Sequence, residues 1–413
     1  MHTSISFARL KELPLIIWIY LIGTLITRGS FYMVWPFLVI ILHREFAITA
    51  TQIGMILSAS AVGSALLGFY VGNLSDRLGR KPLMLIGGLL GVVAFLAMAF
   101  ANSLWIYVIS ILLSASSRAL WEPASKGLIG DVIPNPMDRE MVLQFSYFLI
   151  NIGAALGPLL GIWFGLSAQQ ETFLVTASAY FILTLAMFLG FQKQARLVNQ
   201  QHKSEHKLGQ TILLLKQDHL FMWLMVANIL VMFVYAHADT SLVQYLTKAQ
   251  VPQLVELVTA LIMTNTITIV LFQFPLLAIL KQRTINQRII VGLLFLIVSQ
   301  ILFALNPIDV FWTWIVSMFV LSLGEAILFP SMNIQIDQLA HPKLRGSYFG
   351  ATSFYSIGFS IAPLVGGLFI DHLTGSLLFV FTAFVLLFTF AIYFNAHRFK
   401  RPDIDGFWAS NPT

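Results

Sequence analysis

The stretch GNLSDRLGRKPLM, Gly72 to Met84, puts four charged residues into the six positions from Asp76 to Lys81 and sets Gly72 and Gly79 around them. The chain that carries it is only 10% charged and 58% hydrophobic over 413 residues, with a mean hydropathy of +0.83. Soluble domains are about 25% charged and 45–50% apolar. The composition therefore describes a polytopic membrane protein, and the charged stretch is a loop between two apolar segments. There is no cysteine, which excludes disulfides and thiolate chemistry. The beginning, MHTSISFARLKEL, runs into a long apolar segment without a small-residue cleavage site, so no signal peptide is expected.

A spanning helix takes about 20 apolar residues. Twelve segments qualify: 14–42, 52–71, 83–101, 104–130, 142–166, 171–192, 220–247, 254–280, 289–305, 310–336, 346–370 and 375–396. The polar stretch 193–219 separates the first six from the last six. The expected domains are a six-helix bundle over 1–192, a cytoplasmic linker over 193–219, and a second bundle with a cytoplasmic tail over 220–413. Of the 24 Lys and Arg, 19 fall at the N-terminus, in loops 2–3, 4–5, 6–7, 8–9 and 10–11, and in the tail. Only Arg44 and Lys248 lie on the other side, and Arg28, Arg118 and Lys126 lie within apolar segments. Positive charge marks the cytoplasmic side. Both termini are expected there, in a cell inner membrane. The net charge of +6 is then topological and does not point to nucleic acid.

The halves repeat. GAALGPLLG (Gly153–Gly161) in span five parallels GFSIAPLVG (Gly358–Gly366) in span eleven at a shift of 205. Asp131 parallels Asp337 and Arg139 parallels Arg345 at 206, and EPAS (Glu122–Ser125) parallels FPSM (Phe329–Met332) at 207. Landmarks at nearly one offset imply duplication. The expected fold is an all-α membrane protein with twelve transmembrane helices in two pseudo-symmetric six-helix bundles.

On Gly72, Leu74, Asp76, Arg77, Gly79, Arg80 and Lys81, loop 2–3 resembles the G-x-L-a-D-r-x-G-r-k signature of the major facilitator superfamily of secondary transporters, with Ser75 in place of alanine. The resemblance implies that Asp76 and Arg77 belong to a cytoplasmic gate together with Gly72, Gly79 and Arg80, and that Asp131 is a further member. Topology-setting charge is the plainer role for Lys81. Loop 8–9, Lys281 to Arg288, keeps charge without the Gly and Asp pattern, so a lopsided gate is expected. Gly153, Gly157, Pro158 and Gly161 are similar to the span-five pattern of proton-coupled multidrug antiporters, with Ile162 replacing the last glycine. Small residues one turn apart let helix backbones touch, and Pro158 removes one backbone bond and kinks the helix. Generic tight packing explains the same residues.

An ionisable residue within a span is expensive and is read as functional. Arg28, Arg118, Glu122, Asp239 and Glu325 form the expected proton-coupling and cavity set, with Lys126 near the inner end of span four. Arg118 and Glu122 are four residues apart on one helix face, which suits either a structural ion pair or a proton carrier, Glu122, tuned by Arg118. Arg118 also resembles the span-four arginine of proton antiporters, although Trp121 and Glu122 replace the Gln and Gly of that pattern. Arg28 needs a counter-ion, either Glu122 or Glu325. Pro123 is expected to interrupt the helix beside Glu122. Glu325 lies at the repeat position of Arg118, and Asp239 lies in the outer half of span seven.

The leading expectation is a secondary active transporter working by alternating access, exporting small amphipathic compounds in exchange for protons as drug-efflux proteins do. Tyr32, Trp35, Trp121 and Tyr235 would offer aromatic faces. Two alternatives stand: a carrier of one endogenous metabolite, such as a siderophore or a sugar-like solute, and a lipid flippase. The partners are a small-molecule substrate, protons and the bilayer, with a monomer expected. No cofactor, metal or enzymatic activity is expected: there is no G-x-x-x-x-G-K-[ST] loop, and His202 and His206 sit in a polar linker.

Overall fold

The computed structural model describes residues 7–35, 38, 41, 42, 46, 50–164, 169–194 and 208–403. Among these, twelve helices are long and apolar enough to cross a membrane. They are Leu15–Val34, Met55–Leu78, Arg80–Ala99, Leu104–Val132, Pro136–Gly161 and Thr172–Lys193, then His219–Lys248, Glu256–Ile279, Ile285–Leu305, Phe311–Leu339, Pro342–His372 and Gly375–Phe394. They are called spans one to twelve. Their number and order are those the hydropathy predicts, and their ends are not. Span nine starts at Ile285 because Thr284 and Gln287 form a capping box, each side chain accepting the other residue's backbone N–H at 3.3 and 3.1 Å. Span five starts at Pro136, where the Asn135 side chain accepts the Met137 N–H at 2.9 Å. Caps, not apolarity, set where a helix begins. The expected interruption at Pro123 does not occur: one helix runs from Leu104 to Val132 through that proline. Of the linker, residues 195–207, with His202 and His206, lie outside the described residues, and Leu208–Gln217 is helical.

The chain divides into two compact units. One contains Ile5–Thr211 together with Ile336–Ser353, and the other contains Ile212–Gln335 together with Phe354–Pro412. In the first unit span one packs on spans five and six, span two on four, and span three on four and six. In the second, span seven packs on eleven and twelve, and span nine on twelve. Each of those pairs in the second unit is the counterpart of a pair in the first.

The repeat is built from shared packing devices. A Cβ on Gly157 would lie 2.5 Å from the Gly29 carbonyl oxygen and 2.8 Å from Tyr32 Cβ, so spans one and five meet backbone to backbone. In the second unit a Cβ on Gly358 of span eleven would strike the Ile229 carbonyl of span seven. Gly87 of span three lies against span four, its Cβ position 3.0 Å from Leu120 Cβ, and Gly292 of span nine lies against Gly324 and Leu328 of span ten at 3.1 Å. Lipid tails are as apolar as leucine, so helices in a bilayer associate through such close packing rather than by escaping solvent.

An aromatic set recurs as well. In the first unit Phe173 lies against Phe95 at 6.2 Å and Tyr107 at 6.4 Å between ring centroids. In the second, Phe303 lies against Phe379 at 5.2 Å and Trp314 at 6.3 Å. Residue by residue the two sets stand 206 to 208 apart, Phe303 after Phe95, Trp314 after Tyr107 and Phe379 after Phe173, within the same repeat. Large apolar side chains such as Trp105, Phe181, Ile262, Trp312 and Phe384 are exposed. On a soluble protein that would be a liability; on a lipid-facing surface it is required.

Candidate functional site

Polar clusters interrupt the apolar bundles, and three of those among the described residues hold expected site residues. The first is a buried charge network at the end of span two. Gly79 alone separates spans two and three, and its φ of 93° lies where L side chains are strained. That turn puts Arg80 beside Asp76. The Asp76 Oδ1 accepts from Arg80 Nη1 at 2.6 Å and from the Gly346 N–H at 2.8 Å. Its Oδ2 accepts from the Ser347 N–H and hydroxyl, both at 2.6 Å. Arg80 Nε also donates to Asp131 at 2.9 Å. The approach of residues 346–347 to span two depends on Gly72: a Cβ there would fall against the Gly346 carbonyl and 2.7 Å from Gly350 Cα. A parallel set surrounds Asp337, which accepts from Arg139 Nε at 2.7 Å and pairs with Arg345 at 3.5 Å. Arg345 donates in turn to the Gly130 carbonyl at 2.6 Å. These two sets lie within the first unit, because Ile336–Ser353 belongs to it.

The geometry brings together Gly72, Asp76, Gly79, Arg80 and Asp131. It leaves Arg77 exposed and outside the network, with Arg80 in the pairing position instead. Arg139, Arg345, Asp337 and Ser347 are members that the loop signature does not contain. The first three carried a signal, since they are repeat landmarks. In the second unit, Arg288, expected in loop 8–9 but placed in the first turn of span nine, donates to the Arg283 and Lys281 carbonyls of that loop at 3.3 and 3.2 Å.

The second cluster joins spans one and four in the first unit. Arg28 Nη2 donates to Glu122 Oε1 at 2.6 Å, with 23% of the arginine side chain and 46% of the glutamate exposed. Glu122 is thus the counter-ion that Arg28 requires. Arg118, which shares a helix face with Glu122, instead presents its guanidinium to the rings of Phe31 and Trp35, at 5.6 and 5.7 Å from their centroids. Lys126 lies 5.7 Å from the Phe349 ring. Span five fixes Arg28 from behind: a Cβ on Gly153 would stand 3.0 Å from Arg28 Cβ. Gly161 is buried, and Pro158 sits within an unbroken helix from Pro136 to Trp163.

The third cluster lies in the second unit. Glu325, 3% exposed at the middle of span ten, accepts from the Tyr235 hydroxyl at 3.1 Å and from Asn265 Nδ2 at 2.7 Å. Asn265 also donates to the Ser322 hydroxyl at 3.0 Å. Asp239 is exposed at the C-terminal end of helix His219–Asp239 and is not part of this cluster. Deeper in the same unit, Asn228 donates to the Tyr355 hydroxyl at 2.8 Å and accepts from the Tyr393 hydroxyl at 2.5 Å. Uncharged residues of this kind give no charge signal in an apolar segment, and sequence reasoning passed over them. Among the described residues no group of three His, Asp or Glu side chains could hold a metal ion.

Comparisons with known proteins establish the family. The family model described as Major Facilitator Superfamily matches residues 20–356. The uncharacterized MFS-type transporter YqjV of Bacillus subtilis is 31% identical over 364 residues, covering 87% of this chain and 88% of that protein. A Na(+), Li(+), K(+)/H(+) antiporter of Planococcus maritimus is 28% identical over 377 residues, covering 83% and 87%. The crystal structure of the human organic anion transporter MFSD10 superposes with a TM-score of 0.74 at 17% identity, covering 92% of this chain and 98% of that one, which is a likeness of fold. The chain belongs to the Major Facilitator Superfamily and is a multi-pass membrane transporter of small molecules, not an enzyme.

Proposed function

We propose that this transporter works by alternating access between the halves 1–192 and 220–413, joined by the linker 193–219, and exports small amphipathic compounds in exchange for protons. The bias of basic residues supports placing both termini on the cytoplasmic side of a cell inner membrane. The Asp76–Arg80–Asp131 set, with Arg139, Asp337 and Arg345, then forms the cytoplasmic gate. It is nearly water-free: the side chains of Asp76 and Arg80 are 0% and 2% exposed. Opening it costs several ion pairs at once, which a bound substrate or proton must offset.

The observation that carries proton coupling is the setting of Glu325. Its carboxylate receives hydrogen bonds from a phenol and an amide, both neutral donors. Both donors can adapt to a proton arriving there, since Tyr235 and Asn265 can reorient to accept the acid O–H. At Glu122 an arriving proton competes with the Arg28 guanidinium. Glu325 is therefore the proton carrier, and Glu122 fixes Arg28. The name of the Planococcus relative, a cation/proton antiporter, supports exchange against protons.

Inverted membrane vesicles, energised to an acid interior and followed with a pH-sensitive dye, test the reading. Adding a panel of lipophilic cations, zwitterions and organic anions should release protons with wild type and not with Glu325→Gln. A response that survives in Glu325→Gln but vanishes in Glu122→Gln would move the carrier to span four. Silence across the whole panel would sink proton-driven export and bring forward a carrier of one endogenous metabolite or a flippase.

A further inference from the structure

Arg118 is held in an unusual way. Its guanidinium lies over two aromatic rings that are themselves stacked, Phe31 on Trp35 at 4.7 Å and 23°. Among the described residues it makes no ion pair, and Glu122, one helical turn away, is already taken by Arg28 at 2.6 Å. Ring faces stabilise the cation's charge, but they do not satisfy N–H donors directed along the guanidinium plane. The planar fork matches a carboxylate bidentately, and its position is preset by the rings beneath it. Glu122 and Arg28 are both partly exposed beside it, and charged groups in a span face the bundle interior or a water-filled cavity. Spans one and four together hold three cations, Arg28, Arg118 and Lys126, against two carboxylates, Glu122 and Asp131, and Asp131 is taken by Arg80 of span three at 2.9 Å. That balance disfavours a lipophilic cation.

We propose that Arg118, on its Phe31–Trp35 platform, is the binding site for the anionic group of the transported compound, and that the substrates are amphipathic aromatic carboxylates. The carboxylate takes the guanidinium fork, and the ring of the substrate extends along the aromatic platform. The inference rests on the transporter reading, which requires a substrate path reaching Arg118, and it deepens that reading by naming the substrate class.

Isothermal titration of the full-length protein in detergent tests binding separately from transport. The probes are 1-naphthoate, indole-3-acetate and salicylate, with 1-naphthamide as the neutral isostere and a naphthylmethyl-trimethylammonium salt as the cation. At least one carboxylate should bind, with its neutral isostere about tenfold or more weaker, as loss of a charge-assisted bond implies. Arg118→Gln should weaken the carboxylate by a similar factor, and Arg118→Lys should recover part of it. Thermal melts of each variant separate misfolding from lost recognition. Equal binding of acid and amide, tighter binding of the cation, a folded Arg118→Gln that binds like wild type, or no binding by any of the three acids would overturn the proposal. The vesicle assay with the same probes keeps the two readings apart. Arg118-dependent binding without proton release upholds the anion site and removes proton coupling, whereas proton release by the cation alone does the opposite.

Discussion

Glu122 and Glu325 occupy neighbouring levels of two repeated bundles, yet they are held by opposite chemistry. Glu122 answers an arginine from span one; Glu325 is met by a tyrosine and an asparagine from spans seven and eight. At the shared offset of 207, Glu325 takes the place of Arg118, so one position carries a cation in the first unit and an acid in the second. The scaffold around them did not diverge in this way. Spans one with five and seven with eleven meet at glycines, and an aromatic set recurs beside them. Duplication preserved what packing demands of a helix pair and left the cavity-facing charges free to specialise. On this view the first unit is built to hold a substrate anion and the second to exchange a proton.

The largest effect expected is functional. Glu325→Gln should reduce proton-driven transport to the level of empty vesicles while shifting stability by no more than about 1 kcal/mol, since the amide keeps the shape of the acid. A silent Glu325→Gln would break the comparison outright. Next comes the buried gate. Asp76→Asn should cost roughly 3–5 kcal/mol in unfolding experiments, because it leaves Arg80 with a lost partner away from solvent. The exposed Arg77→Gln should stay within about 0.5 kcal/mol, and an equal loss at the two positions would show that the loop acts only through its net charge.

The seams should respond alike in the two units. Gly157→Val and Gly358→Val each drive a side chain into a neighbouring backbone and should cost about 1–3 kcal/mol, read from thermal melts. Tolerance of one alone would mean that the two helix pairs are not equivalent. A smaller change is expected from Glu122→Gln, about 1–2 kcal/mol, below the cost at Asp76 because nearly half of its side chain reaches solvent. A double-mutant cycle with Arg28→Gln should recover most of that as coupling energy; additivity would deny the pair its place in the comparison. The smallest effect belongs to Gly367→Ala. Nothing lies within 4 Å of the added Cβ, so the melt should not move beyond about 0.5 kcal/mol.

By itself the sequence determined what depends on local composition. A bilayer asks each segment separately for about 20 apolar residues with their backbone bonds closed internally, so twelve spans could be counted without knowing any contact. The duplication was legible for the same reason, as a constant offset between landmarks along the chain. Asp131, Arg139, Asp337 and Arg345 were marked by that offset, although not by what they bind. Only the tertiary structure decided the partners. Arg118 and Glu122 are one turn apart, and helical spacing alone would pair them. The docking of span one through Gly29 and Gly153 instead brings Arg28, 94 residues away, onto Glu122. Asp76 finds the Gly346 and Ser347 backbone 270 and 271 residues further on because Gly72 and Gly346 let two backbones close. Which charges meet depends on how each helix is rotated and how nearly its neighbour approaches, and those are properties of packed side chains that no single segment contains.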